Sequence, residues 1–233
     1  MSEKGHPEHH RDISGGWFRA GSFGVSDGLV TNVSLILGFA GAHPSHEVVR
    51  LAGLSGLVAG SFSMALGELL SMRAQKELFE YEIKVEREAL ANDPEEEQAE
   101  LKAIFVGRGI DEELSTRLAA DLMRDPDLAL RTHAREELGI DPSAVGSPTT
   151  AALSSLTAFA VGAFIPLLPW LLTSSGNQVW WSTGLAGVAS LAIGGLIGWF
   201  TRRGLVRWAL LQTTLTGIAA FITFGVGRLV GAG

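Results

Sequence analysis

Met64, Glu68 and Met72 fall at i, i+4 and i+8 in the run Gly60-Ser61-Phe62-Ser63-Met64-Ala65-Leu66-Gly67-Glu68-Leu69-Leu70-Ser71-Met72. On a helix this spacing makes one stripe of thioether, carboxylate and thioether. The run is apolar enough to lie in a bilayer, where an ionisable group costs about 2.5–3.5 kcal/mol on insertion scales and by default marks a function. Asp27 is the other acid that falls inside an apolar segment. Carboxylate oxygen beside softer sulfur suits a borderline divalent metal. A pair of carboxylates also suits proton coupling, because metal and proton compete for the same oxygens. The structural alternative is that Glu68 sits at the mouth of its span, pairs with Arg73 and helps to end the helix.

A second constellation is acidic and polar. Glu82 and Glu86 share a helix face at i, i+4, Glu97 and Glu100 share one at i, i+3, and Glu136 and Glu137 stand beside His133. Like charges at such spacings oppose helix formation unless a cation or basic neighbours compensate, and oxygen-rich clusters suit hard or borderline divalents. The alternative is a solvated charged face with Lys84, Arg87, Arg131 and Arg135 interleaved. His43 and His46 are a candidate exit site or ordinary loop residues. His6, His9 and His10 belong to a polar tail that is either solvated or metal-binding. There is no Walker A motif, no GxGxxG and no pattern of a Ser/His/Asp triad, which weighs against an ATP-driven pump and against an enzyme. With no cysteine, disulfides and thiolate sites are excluded.

The elements that must position these groups follow from composition. Of the 25 acids, 19 lie in residues 77–141, which carry a net charge of −11 against +4 for the remainder. An acidic module therefore interrupts a hydrophobic, slightly basic chain, which argues for cationic partners and against nucleic acid. No apolar segment follows the start directly, so no signal peptide is expected. The boundaries read as a tail and interfacial lead-in over 1–20, two membrane helices over 21–76, the acidic helical module over 77–145 and three membrane helices over 146–233. The apolar runs are about 25–42, 48–72, 148–172, 179–201 and 206–230, each about long enough to span. The second helix has no breaker before Asn92-Asp93-Pro94 and is expected to run on past the membrane. Three shorter helices are expected to start near Pro94, Asp111 and Pro126, closed by Gly107-Arg108-Gly109, Asp125-Pro126 and Gly139. Gly53, Gly56, Gly60 and Gly67 in the second span, and Gly194, Gly195 and Gly198 in the fourth, offer close-packing faces. Pro166 and Pro169 are expected to kink or end the third span. Trp170, Trp180 and Trp181 read as one aromatic belt. With alternating spans, Arg11, Arg19, Arg73, Lys76, Arg202, Arg203 and Arg207 share one side, against Arg50 and Arg228 on the other. By the positive-inside rule the N-terminus and the acidic module are cytoplasmic.

Ser26-Asp27-Gly28-Leu29-Val30-Thr31 with Gly38-Phe39-Ala40-Gly41-Ala42, then Ala59-Gly60-Ser61-Phe62-Ser63-Met64-Ala65-Leu66-Gly67-Glu68, and later Ile165-Pro166-Leu167-Leu168-Pro169, resemble the vacuolar iron transporter family. The likeness covers nearly the whole chain from about residue 20. It implies an all-α membrane protein of five spans, a homodimer that exchanges cytosolic Fe²⁺, sometimes Mn²⁺, for protons. It also implies a path at the dimer interface lined by residues like Asp27, Met64 and Glu68. Members with a long insert between spans two and three use it as a cytoplasmic metal-binding domain. The positions that match in this chain are Glu86, Glu97, Glu100 and Glu137. The chain departs from the pattern at Ala89, where a second glutamate is expected, and at His133 and Ala134, where methionine and glutamate are usual. Glu88, Glu136 or His133 are the candidates to compensate.

The resulting expectation is a prokaryotic-type, proton-coupled exporter of Fe²⁺ in a plasma membrane, with no prosthetic group. The same oxygen and sulfur donors also suit Mn²⁺, Co²⁺ and Zn²⁺. The competing expectations are a manganese exporter of the same family and a membrane-anchored metal buffer or sensor that does not transport.

Overall fold

The computed structural model describes residues 17–139, 146–174 and 176–232. His6, His9, His10 and Arg11 therefore lie outside the described residues. Every regular element among the described residues is an α-helix, in the order α1 (Trp17–Gly41), α2 (His46–Asn92), α3 (Pro94–Gly107), α4 (Glu112–Leu122), α5 (Pro126–Glu136), α6 (Pro148–Leu172), α7 (Gln178–Thr201) and α8 (Leu205–Gly231). Five of them are long and apolar enough to cross a membrane: α1 over Ala20–Gly41, α2, α6, α7 and α8. The described residues fall into two compact units, 17–70 with 147–232, and 71–139 with 146. Helix α2 contributes to both, its apolar part ending near Met72 and its charged part continuing to Asn92.

In the first unit α1 is the central helix. Its buried face, Leu29, Val33 and Leu37, packs with Ala186 of α7 and Ala220 of α8, and Ile36 packs with Val49 of α2 and Leu167 and Trp170 of α6. Close approach depends on glycine. A Cβ at Gly28 would overlap the backbone carbonyl of Phe159, and one at Gly162 would overlap that of Val25, so α1 and α6 cross backbone to backbone. Gly53, Gly56 and Gly60 of α2 likewise admit Leu167, Asn32 with Leu35, and Phe159, whereas Gly67, expected on the same face, has nothing within 4 Å in this chain. Helix α1 begins at Trp17, three residues before the candidate span at Ala20. Glycines at 21 and 24 are tolerated there because they lie against Ser154 and Ala158 of α6.

Pro166 and Pro169 stay inside α6, which runs on to Leu172 rather than ending at them. Other helices supply donors to the backbone carbonyls three residues before each proline. Asn32 Nδ2 donates to Ala163 O at 2.6 Å, and Ser182 Oγ donates to Pro166 O at 2.6 Å. The carbonyls that the prolines leave without an N–H partner are those four residues earlier, Gly162 and Ile165, so these bonds tie α6 to α1 and α7 one residue beyond them. Trp170 corrects the expectation of a shared aromatic belt. Its indole is buried and donates from Nε1 to Ser182 Oγ at 3.0 Å, while Trp180 and Trp181 are exposed. His46 opens α2, with its Nε2 3.1 Å from Thr173 O and its ring 5.4 Å from that of Trp170, which gives it a structural role at the end of α6.

The second unit holds the charged end of α2 with α3, α4 and α5. Its helix starts follow local chemistry. Pro94 and Pro126 occupy first turns, where their missing N–H is not needed. Asp111 Oδ1 caps α4 by accepting from Glu113 N and Leu114 N at 3.0 and 3.2 Å, and Asp125 Oδ1 caps α5 by accepting from Asp127 N and Leu128 N at the same distances. Gly109 and Gly139 take the left-handed conformation, with φ of 87° and 65°, after α3 and α5. A small core of Leu101, Phe105 and Ala119 joins α3 to α4.

Candidate metal centre

Helix α5 is amphipathic, and Ala129, Leu130, His133 and Ala134 form its buried face. That face carries one polar group. The His133 ring is fully buried, and three carboxylates surround its Nδ1: Glu86 Oε1 of α2 at 3.1 Å, Glu97 Oε2 of α3 at 3.5 Å, and Glu137 Oε2 just past α5 at 3.8 Å. Glu86 and Glu97 are themselves buried. Among the described residues Glu86, His133 and Glu137 form the one group of three whose ligand atoms all lie within 4.8 Å of one another. Neither ring nitrogen of His133 and not the Oε1 of Glu86 has a hydrogen-bond partner. Nδ1 and Oε1 thus lie 3.1 Å apart without the alignment of a hydrogen bond.

The electrostatics match a site that needs a cation. Burial pushes the Glu86 carboxyl up from an ordinary 4.5 to about 7, reinforced by the charges of Glu137, Glu97 and Glu100. Burial also raises Glu97, against the pull of His133, with Glu100, Glu137 and Glu96 adding to the rise. A buried carboxylate among like charges either takes up a proton or is neutralised by a bound cation.

The other acids of the module have different surroundings. Glu100 is exposed, near enough to act on both Glu86 and Glu97 through its charge. Glu136 pairs with the Arg108 guanidinium at the end of α3, so it does not join the cluster. Its neighbour Glu137 does, because one residue of helix turns a side chain by about 100°. Glu88 pairs with Lys84 at 3.7 Å on the exposed side of α2. Ala89 and Ala134 bring no donor atom.

The membrane residues lie elsewhere. Helix α2 is continuous through Met64, Glu68 and Met72, so the i, i+4, i+8 stripe stands, with all three side chains half-buried. Asp27 is half-buried on α1, and Thr31 Oγ1 donates to its Oδ1 at 3.4 Å. Asn32, one turn beyond Gly28, is one of the polar residues of the first span that the sequence marks as facing protein or a water-filled path, and it is buried. Its position in an apolar segment was visible, but its partner, the carbonyl of Ala163, is 131 residues away.

Comparison with known proteins bears on the whole chain. The family model described as VIT family matches residues 18–228. A protein of Acanthamoeba castellanii named vacuolar iron transporter is 35% identical over 230 residues, covering 95% of this chain and 82% of the relative. Vacuolar iron transporter 1 of Oryza sativa subsp. japonica is 30% identical over 226 residues, covering 97% and 89%. The protein of the same name from Arabidopsis thaliana is 30% identical over 208 residues, covering 89% and 83%.

Proposed function

The chain belongs to the VIT family, and from that premise we propose that it moves Fe²⁺ out of the cytosol in exchange for protons. As a member it is a membrane transporter of iron and not an enzyme. What goes further is direction, coupling and the route. The observation that carries the reading is the buried His133 encircled by Glu86, Glu97 and Glu137, a cation-seeking cluster in a charged unit of a chain with five candidate spans.

In this reading Fe²⁺ is substrate, not a resident cofactor. Glu100, exposed beside the cluster, attracts the ion, and Glu86, Glu97, Glu137 and His133 hold it. The stripe of Met64, Glu68 and Met72, with Asp27, then carries it through the membrane. Glu68 and Asp27 release a proton to receive metal and regain one when it leaves, which couples the two flows through shared oxygens. The half-burial of these side chains in the single chain supports a homodimer, in which a second copy supplies the facing wall. The excess of Arg and Lys on the side of Arg73 and Lys76 supports a cytosolic module. The relatives' names speak of a vacuole, so they lend nothing to the expectation of a plasma membrane.

The two sites separate experimentally. Asp27→Asn with Glu68→Gln should abolish Fe²⁺ flux into liposomes and leave binding by the acidic module intact. Glu97→Gln with Glu100→Gln should weaken binding and slow flux at low Fe²⁺ without uncoupling it. Full flux in the Asp27→Asn, Glu68→Gln variant refutes the route.

A further inference from the structure

We propose that the acidic module holds a single divalent ion through Nδ1 of His133, and that this nitrogen biases it toward Fe²⁺, Co²⁺ and Zn²⁺ and against Mn²⁺. The inference rests on the reading of the cluster as a metal site and adds its stoichiometry and selectivity. The donor count comes first. One nitrogen and three carboxylates converge, with Nδ1 within 3.8 Å of each carboxylate. Two neighbouring acids are engaged elsewhere: Glu136 is held by Arg108, and Glu88 pairs with Lys84. Three donors, from Glu86, His133 and Glu137, lie within 4.8 Å of one another and suit one ion, with Glu97 Oε2 3.5 Å from Nδ1.

The identity of the nitrogen donor decides the bias. Carboxylate and water sites suit Mn²⁺, whereas imidazole suits Fe²⁺ and Zn²⁺, and affinity at a given nitrogen-containing site rises from Mn²⁺ through Fe²⁺ and Co²⁺. His133 is fully buried, and neither ring nitrogen has a hydrogen bond. A buried imidazole left unpaired is costly, and a ligated ion at Nδ1 removes that cost on one side.

The test uses the full-length chain, purified anaerobically in detergent and titrated with Co²⁺ as a visible probe, with Zn²⁺ and Mn²⁺ in competition. A Glu86→Gln, Glu137→Gln variant supplies the background from the membrane stripe and from His6, His9 and His10. After subtraction, the wild type should bind one equivalent of Co²⁺. His133→Gln and His133→Met should each weaken Co²⁺ and Zn²⁺ by at least the roughly 10–100-fold typical of lost outer-shell partners, and Mn²⁺ by less than about threefold. Equal losses for Zn²⁺ and Mn²⁺ would reduce His133 to a packing residue and overturn the inference, as would two equivalents per chain. If the Glu86→Gln, Glu137→Gln variant binds as the wild type does, the metal-site reading itself fails.

Discussion

Raising the proton concentration should unload the acidic module over a range where ordinary glutamates are silent. With its carboxyl raised to about 7, Glu86 is about half protonated at pH 7, roughly 90% at pH 6 and about 10% at pH 8. Metal must displace that proton, so apparent affinity should weaken about tenfold from pH 8 to pH 6 and change little above pH 8. A glutamate at its ordinary 4.5 would give a flat profile across the same interval. The imidazole of His133 must also be neutral to bind, so the decisive control is His133→Gln. The causes that raise Glu86 are burial and the charges of Glu137, Glu97 and Glu100, none of which that substitution removes. The assay is equilibrium Fe²⁺ or Co²⁺ binding to the full chain at pH 6, 7, 8 and 9, for wild type, His133→Gln and Glu86→Gln. The slope should survive in His133→Gln and flatten in Glu86→Gln. A slope that vanishes in His133→Gln refutes the assignment to Glu86. The metal-free protein carries the linked effect. Unfolded, the carboxyl ionises from about pH 4.5, and folded, only near 7, so its contribution to stability is complete below pH 4.5 and lost as pH rises through 7.

Three further outcomes test the packing. Gly28→Leu or Gly162→Leu should destabilise the membrane unit by about 1–3 kcal/mol or more, because the new side chain meets backbone rather than a movable side chain; thermal unfolding in detergent reads this, and an unchanged Tm contradicts the crossing. Asn32→Leu should cost about 1–3 kcal/mol through the bond to Ala163 O beside Pro166, whereas Thr31→Val on the exposed side should stay within about 0.5 kcal/mol. Arg108→Ala should change stability by no more than about 1 kcal/mol and leave metal binding unaltered, since Glu136 lies off the cluster; a large change in affinity would bring Glu136 back into the site.

Helix limits were largely legible because their signals are local. Pro94, Asp111 and Pro126 start helices by chemistry that acts within one turn, and the glycines at 109 and 139 follow helix ends by freedom of φ alone. The apolar runs mark the spans for the same reason. What failed required knowing a neighbour. Pro166 and Pro169 do not end α6, and the helix is tied beside them to Asn32 and Ser182, which lie elsewhere in the chain. Trp170 resembles Trp180 and Trp181 in sequence, yet Ser182 and His46 enclose it. Gly24 and Gly28 are spaced for a close helix crossing, but nothing in one sequence says that the facing helix is α6. In the candidate site, Glu86 and Glu97 were visible as acids without visible burial. His133 is legible as a candidate beside Glu136 and Glu137, and its burial follows from the face that it shares with Ala129, Leu130 and Ala134. Glu136 could not have been set aside, since Arg108 lies 28 residues away.

The central claim is coupled exchange through the membrane stripe, and reconstitution tests it most directly. Proteoliposomes carrying a pH-sensitive dye would receive an anaerobic Fe²⁺ gradient, with wild type compared against Glu68→Gln. Proton movement driven by Fe²⁺ in the wild type and absent from Glu68→Gln is the predicted result. No proton movement from a wild-type protein that still binds Fe²⁺ tightly in detergent would contradict the account.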